Sequence, residues 1–292
     1  MRVFIASVKS VRINYDRKFS NGRSAFENIA DLQNKILNAV DDDIDVYLTG
    51  SVRYGKAFIF LLGCLIVLGM QYGKRIRLYL PDKHVMEHFR AMGILDYYRQ
   101  QKRNSKNFFR LDKTSNAMRL VEKNIYELPI HMTKKSQEIL LSLIGEVYNN
   151  AIEHSEAKYV MGGCYKKQGK KKLYFSCYDT GIGIVGCVRK ALGNIALSIE
   201  DYDFNKRIIK WALRRGTSTK PPPRGLGLDW LLDFARLNHG RITICCSNDV
   251  FVQNPSGEHN FSRLQNKFQG TFFEMEIIED KNVLYRLRGE EI

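Results

Sequence analysis

Apolar positions along this chain change period several times, and each change marks an expected element. Phe26, Ile29, Ala30, Ile36 and Leu37 recur at helical spacing from about Ser24, and the aspartates at 41–43 end the run. Before it, Ser20, Asn21 and Gly22 form a polar turn, and residues 1–8 read as a strand. Ile44–Leu48 is a short strand, and Arg75–Leu80 alternates with period two as another. Between them, residues 57–70 form an unbroken apolar run bracketed by Lys56 and Lys74. It is shorter than the roughly 20 residues that span a bilayer, so a buried helix and no membrane contact are expected. Pro81 and Asp82 make a turn, and His84–Met92 is a further helix. Strand and helix in alternation predict a small sheet covered by helices.

The second half has a different rhythm. Leu140, Leu143, Ile144, Val147 and Ala151 line one face of a long amphipathic helix over Thr133–His154. Val160–Lys166 and Lys172–Tyr178 read as a hairpin joined by a basic turn, Leu228–Leu237 as a helix, and Arg241–Ser247 and Thr271–Ile278 as strands. The expected class is α+β: a mixed, mostly antiparallel sheet with helices on one face, preceded by a small α/β domain. Residues 99–123, rich in Lys, Arg, Asn and Gln, are the expected linker between domains at 1–98 and 124–292. Phe108 and Phe109 interrupt its basic run, a mixture that can also touch RNA or single-stranded DNA.

Composition narrows the class. With 44% hydrophobic and 26% charged residues the chain is globular, and 292 residues hold two ordinary domains. A formal net charge of +15 favours an anionic partner: a nucleotide, a nucleic acid or an acidic protein. The six cysteines include no CxxC pair and no His cluster completes a zinc site, so reduced thiols and a cytoplasmic setting are expected.

Three segments carry candidate chemistry. Glu146 and Asn150 lie four apart and share one helical face. The amide oxygen of Asn150 suits magnesium, and Glu146 could accept a proton from an attacking water or hydroxyl. Asp179 ends an apolar strand, where its carboxylate could accept from the amino group of adenine, and Gly181 and Gly183 let the backbone approach the base. With Gly186 these glycines also spell a dinucleotide fingerprint, but no run of βαβ units and no clear ribose-binding acid follows. Gly225, Leu226, Gly227 and Leu228 open a helix whose free N–H groups could bind phosphate, with Lys220 or Arg224 in reach of the terminal one. Taken singly, each segment also fits a solvated helix or an ordinary surface loop.

As a set, residues 133–278 resemble the GHKL superfamily of ATP-binding domains, shared by gyrase, the heat-shock chaperone ATPase, histidine kinases and the mismatch-repair ATPase. Glu146-x-x-x-Asn150 is similar to its N box, Asp179-x-Gly181-x-Gly183 to its first glycine box, and Gly225-Leu226-Gly227-Leu228 to its second. Gly270 and Thr271 resemble the closing strand, whose Thr contacts the adenine-binding Asp and its water. The resemblance implies a Bergerat-type α/β sandwich, bound ATP and Mg2+, Glu146 as general base, Asn150 on the metal and Asp179 on adenine. Within the superfamily the likeness is to bacterial anti-sigma-factor serine kinases and related stand-alone ATP-binding proteins. A histidine kinase would need a phosphoacceptor on a preceding helical hairpin, and the only nearby candidate, His131, follows Pro129 outside any long helix.

Residues 44–97 more faintly resemble a STAS domain, although residues 50–55 lack that family's Asp-Ser phosphoacceptor pattern and leave only Ser51. The expected function is a Mg-ATP-binding regulatory protein with weak ATPase or protein-serine kinase activity and a protein partner, a second copy in a homodimer being one form. The alternative is an ATP-gated conformational switch or interaction module without significant turnover, associated with nucleic acid in one version.

Overall fold

A computed structural model describes residues 11–15, 22–48, 55–80, 83–99, 107–111, 117–126, 131–166, 172–192, 202–214, 227–280 and 283–285. In chain order the elements are β1 (Val11–Tyr15), α1 (Arg23–Leu37), β2 (Asp43–Leu48), α2 (Lys56–Gln71), β3 (Arg75–Tyr79), α3 (Lys83–Ala91), α4 (Ile94–Arg99) and β4 (Phe108–Leu111). There follow α5 (Ala117–Tyr126), β5 (His131–Met132), α6 (Lys134–His154), β6 (Val160–Lys166), β7 (Lys172–Asp179), α7 (Gly183–Leu192) and α8 (Tyr202–Ala212). The last are α9 (Gly227–Leu237), β8 (Arg241–Gln253), β9 (His259–Ile278) and β10 (Leu284–Tyr285).

The main sheet has five strands in the order β4-β6-β7-β9-β8, every neighbouring pair antiparallel, with β7 at the centre. Side chains alternate across a strand, so each strand serves two faces. Leu173, Phe175 and Cys177 of β7 join Phe273, Met275 and Ile277 of β9 in one core with Leu140, Ile144, Ile209, Leu231 and Phe234 from the later helices. Their alternates Tyr178 and Phe272 join a second core with Phe26, Phe58 and Phe60 from α1 and α2. Ring centroids of Phe26 and Phe60 lie 5.6 and 6.1 Å from that of Phe272.

The later helices α5–α9 thus line one face of the sheet, and α1 and α2 of the N-terminal segment cover the other. The physical reason lies in β7 and β9, which are apolar on both sides. A sheet of this kind cannot leave either face in water.

The helices on the second face belong to a three-stranded parallel sheet, β1-β2-β3. Ile13, Ile44, Val46 and Ile76 point inward at α1 and α2. On the outward side, Arg75 makes a paired contact with Asp43, Arg77 bonds Asp45, and Tyr47 stacks on Tyr79 at 4.2 Å. This polar ladder lets a parallel sheet keep an uncovered-looking composition on one side. Helix α2, held between two sheets, is apolar almost all round, which explains its hydrophobic run. Among the described residues no helix is long and apolar enough to cross a membrane.

The stretch expected as a linker, 99–123, contains β4 and the start of α5. Phe108 and Phe109 are both fully buried. Being adjacent in a strand they face opposite ways: Phe108 meets Tyr97 of α4 at 5.2 Å, and Phe109 meets Tyr148 of α6 at 6.3 Å. The pair thus pins the edge strand into both cores, which is why a basic segment folds as sheet; residues 100–106 and 112–116 lie outside the described residues. The expected strand at 1–8 also lies outside them, and β1 at 11–15 takes a place for which no strand was expected.

Strands β8 and β9 run further than their apolar alternation indicates. Their register shifts beside Ser247, where Phe268 rather than the next residue in step pairs with it, so extra residues bulge from β9. The bulge abuts Thr271, which pairs with Cys246 on one side and Asp179 on the other.

Candidate functional site

Asp179 ends the central strand, opposite Thr271 of β9. It is 3% exposed. Its Oδ1 accepts the Gly181 N–H at 3.0 Å and its Oδ2 accepts the Thr271 N–H at 3.2 Å. The Thr271 Oγ1 in turn accepts the Ile184 N–H at 2.9 Å, tying β9 to the first turn of α7. Burial pushes the Asp179 carboxyl up to about 7, against the pull of hydrogen bonds from Gly181 and Thr271. A carboxylate has about four acceptor positions, so this one can take a further donor.

Three glycines make the convergence sterically feasible. A Cβ on Gly181 would stand 1.8 Å from the Ser155 carbonyl oxygen at the end of α6. A Cβ on Gly270, whose φ is +86°, would stand 1.8 Å from the Asp179 carbonyl oxygen. Gly183 has φ +69°, and a Cβ there would press on Cys246, Gly270 and Thr271, each at 2.9 Å. The dinucleotide alternative finds no support: β7 is flanked by β6 and β9, both antiparallel, whereas that motif sits in a parallel βαβ unit.

Helix α6 starts at Thr133, whose Oγ1 accepts the Ser136 N–H at 3.1 Å as an N-cap. Leu143, Ile144 and Tyr148 bury its inner face. Glu146 is half-buried and Asn150 exposed. Just past the helix, the Ser155 carbonyl accepts the Ile182 N–H at 2.8 Å, so α6 runs directly into the Asp179–Gly183 turn. Asn150 sits about 7.5 Å of helical rise before that junction. Gly227 and Leu228 open α9, which packs along α6.

The structure thus brings Asp179, Gly181, Gly183 and Thr271 into direct contact and sets the helix bearing Glu146 and Asn150 against them. Lys220, Arg224, Gly225 and Leu226 lie outside the described residues. Ser51, the residual STAS-like candidate, lies outside them too.

Other residues around the site carry no local sequence signal. Thr180, fully buried, donates its N–H to the Tyr159 carbonyl at 3.1 Å. Gln71, the last residue of α2, donates to the Thr180 carbonyl at 2.9 Å. Gln269, in the β9 bulge, donates to the Gly181 carbonyl at 2.8 Å. Only the fold reveals that residues this far apart in the chain belong together. Compared with models of known protein families and with characterised proteins, the chain matches none.

The raised pKa of Asp179 has a consequence for stability. The native state holds this proton more tightly than the unfolded chain, so stability falls as pH rises from about 4 to about 7 and is level above. Glu274 is also pushed up to about 7 by burial, so Asp179→Asn serves as the reference. Between pH 5 and pH 8 the wild type is expected to lose about 3 kcal/mol relative to Asp179→Asn in urea unfolding. A constant difference across that range would contradict the environment described for Asp179.

Proposed function

We propose that residues 133–278 form a GHKL-type ATP-binding domain, and that the protein is a Mg-ATP-binding regulator with weak ATPase or protein-serine kinase activity, fused to a STAS-like module. The observation that carries the reading is Asp179. Its carboxylate is buried, and the groups that favour its charged form are hydrogen-bond donors at Gly181 and Thr271 rather than a cation. A carboxylate kept for structure is ordinarily paired with Lys or Arg when buried this deeply. One kept for a ligand's amino group needs the spare acceptor capacity found here. The glycines around it let the backbone at Ser155 and Gly270 close up against the Asp179 turn.

In this reading Asp179 holds the exocyclic amine of adenine, with Thr271 beside it, while the backbone of Gly181 and Gly183 lies along the base. Asn150 offers its amide oxygen to magnesium, an oxygen-seeking ion that keeps several waters. The N-terminal turn of α9 at Gly227 and Leu228 offers N–H groups to phosphate, and the resemblance adds Gly225 and Leu226 to that box and Lys220 and Arg224 as the source of charge. Glu146 takes the proton from the attacking water or hydroxyl. Bound ATP supplies a phosphoanhydride, the chemical source of either turnover or a binding signal.

Isothermal titration of the full chain with ATP and Mg2+ is the direct test, and saturable binding is expected. Glu146→Ala is expected to bind ATP within about threefold of wild type and to lose at least about 100-fold in turnover. Should the variant keep its biological effect, ATP acts as a conformational ligand and hydrolysis is incidental. An absence of wild-type binding would sink the assignment.

A further inference from the structure

Helices α1 and α2 reach through the sheet's second face to the turn that bears Asp179, and they do so with side-chain amides, that of Gln33 buried and that of Gln71 half-buried. Gln71 Nε2 donates to the Thr180 carbonyl at 2.9 Å. The Gln71 Oε1 accepts from the Thr180 hydroxyl and from the Lys158 N–H, the latter at 3.2 Å. Both main-chain and side-chain oxygens of the residue between Asp179 and Gly181 are thus held by one side chain of α2.

A second route runs from α1. Gln33 is 1% exposed. Its Oε1 accepts the Gln269 N–H at 2.9 Å, and its Nε2 donates to the Tyr178 hydroxyl at 3.0 Å. The Tyr178 hydroxyl donates to the Gln269 carbonyl at 3.0 Å. Gln269 then passes the restraint on through its side chain, which donates to the Gly181 carbonyl. The bulge in β9 is what frees these main-chain groups from ladder pairing. Farther along the same bulge, the Glu27 carboxylate of α1 accepts the Gln265 and Asn266 N–H groups at 2.8 and 3.0 Å.

Burying the Gln33 amide is costly unless it is fully bonded, as it is here. A helix serving only to cover the sheet would meet Tyr178 and Phe272 with apolar side chains, as Phe26 and Phe60 do. We propose that the N-terminal α/β module acts as an intrinsic regulator of adenine recognition, with Gln71, Gln33 and Gln269 as positioning residues that fix the Tyr178–Gly181 turn from behind. None of the three carries the chemistry itself. They act through Asp179 and Gly181, so any ligand or partner that shifts α1 or α2 changes base affinity, and by linkage nucleotide changes the affinity for that partner. This rests on the ATP-binding reading above.

The test uses the full chain with Gln71→Met and, independently, Gln269→Met, which keep length and lose the amide. Affinities for ATP, GTP and tripolyphosphate are measured by titration with Mg2+, with thermal unfolding as a check on folding. ATP affinity is expected to fall about tenfold in each variant. The preference for ATP over GTP is expected to fall at least about fivefold, while tripolyphosphate affinity stays at the wild-type value. A structural role alone would weaken tripolyphosphate and ATP alike, and that result overturns the proposal. So do folded variants with wild-type ATP affinity and base preference. If the wild type itself fails to bind ATP, the nucleotide reading falls first and this inference with it; wild-type binding with unaltered variants removes the inference alone.

Discussion

Asp179→Ala is expected to weaken ATP binding by about 100-fold or more while leaving the nucleotide-free protein folded. A hydrogen bond to a charged group contributes roughly 1.5–3 kcal/mol, and in the proposed complex its removal would also leave the adenine amine without its acceptor. Together these reach the 2.7 kcal/mol or so that a 100-fold loss requires. Stability moves differently. Lifting the carboxyl from 3.8 to about 7 corresponds to roughly 4 kcal/mol spent on keeping it ionised in the fold at neutral pH. Removing it relieves that cost and leaves the Gly181 and Thr271 N–H groups without their acceptor, so the two effects oppose each other. The diagnostic pattern is near-normal thermal unfolding without nucleotide and no rise in Tm when Mg-ATP is added, against a clear rise for wild type. A variant that binds ATP as tightly as wild type would overturn the role given to Asp179.

Gly270→Ala is expected to have the largest effect on the fold. A left-handed φ by itself costs a non-glycine residue about 1–2 kcal/mol. Gly73 offers that case in isolation, with φ +75° and nothing within 4 Å of a Cβ. Gly270 combines φ +86° with a Cβ position 1.8 Å from the Asp179 carbonyl oxygen. No side chain can swing away to relieve this, because the obstacle is the backbone of the central strand. Gly270→Ala should therefore lose about 4 kcal/mol or more, and Gly73→Ala about 1 kcal/mol, in parallel denaturant titrations. Equal losses in the two variants would mean that the approach of β9 to Asp179 is not as close as described.

Local chemistry was legible in the sequence, and long-range chemistry was not. Asp179, Gly181 and Gly183 fall within five consecutive positions after an apolar strand, so their juxtaposition follows from chain geometry. The hairpin of β6 and β7 and the helix α6 follow from alternation and from three-and-four spacing in the same way. Thr271 came only through resemblance, because its link to Asp179 depends on strand register. Glu27, Gln33 and Gln71 look like ordinary polar positions on helices until the β9 bulge and the Thr180 turn are placed against them. The edge strand β4 hid behind Arg110 and its basic neighbours. Its signal was present all the same: two adjacent phenylalanines in a polar stretch fit a strand that buries both sides, because neighbouring residues of a strand point opposite ways. The contact between the two halves was hidden for the same reason, since Phe26, Phe58 and Phe60 share their core with Phe272.

The pairing of α1 with β9 also governs how the chain comes into being. Glu27 and Asn266 are separated by 239 positions, and all of the chain between them must be made before they can meet. At synthesis rates of about 5–20 residues per second, α1 and α2 wait roughly 10–50 s for the strand that completes their core. Through that interval Phe26, Phe58 and Phe60 lack the Phe272 side of their core. The segment made earlier is thus finished later, and its phenylalanines stay exposed until β9 emerges.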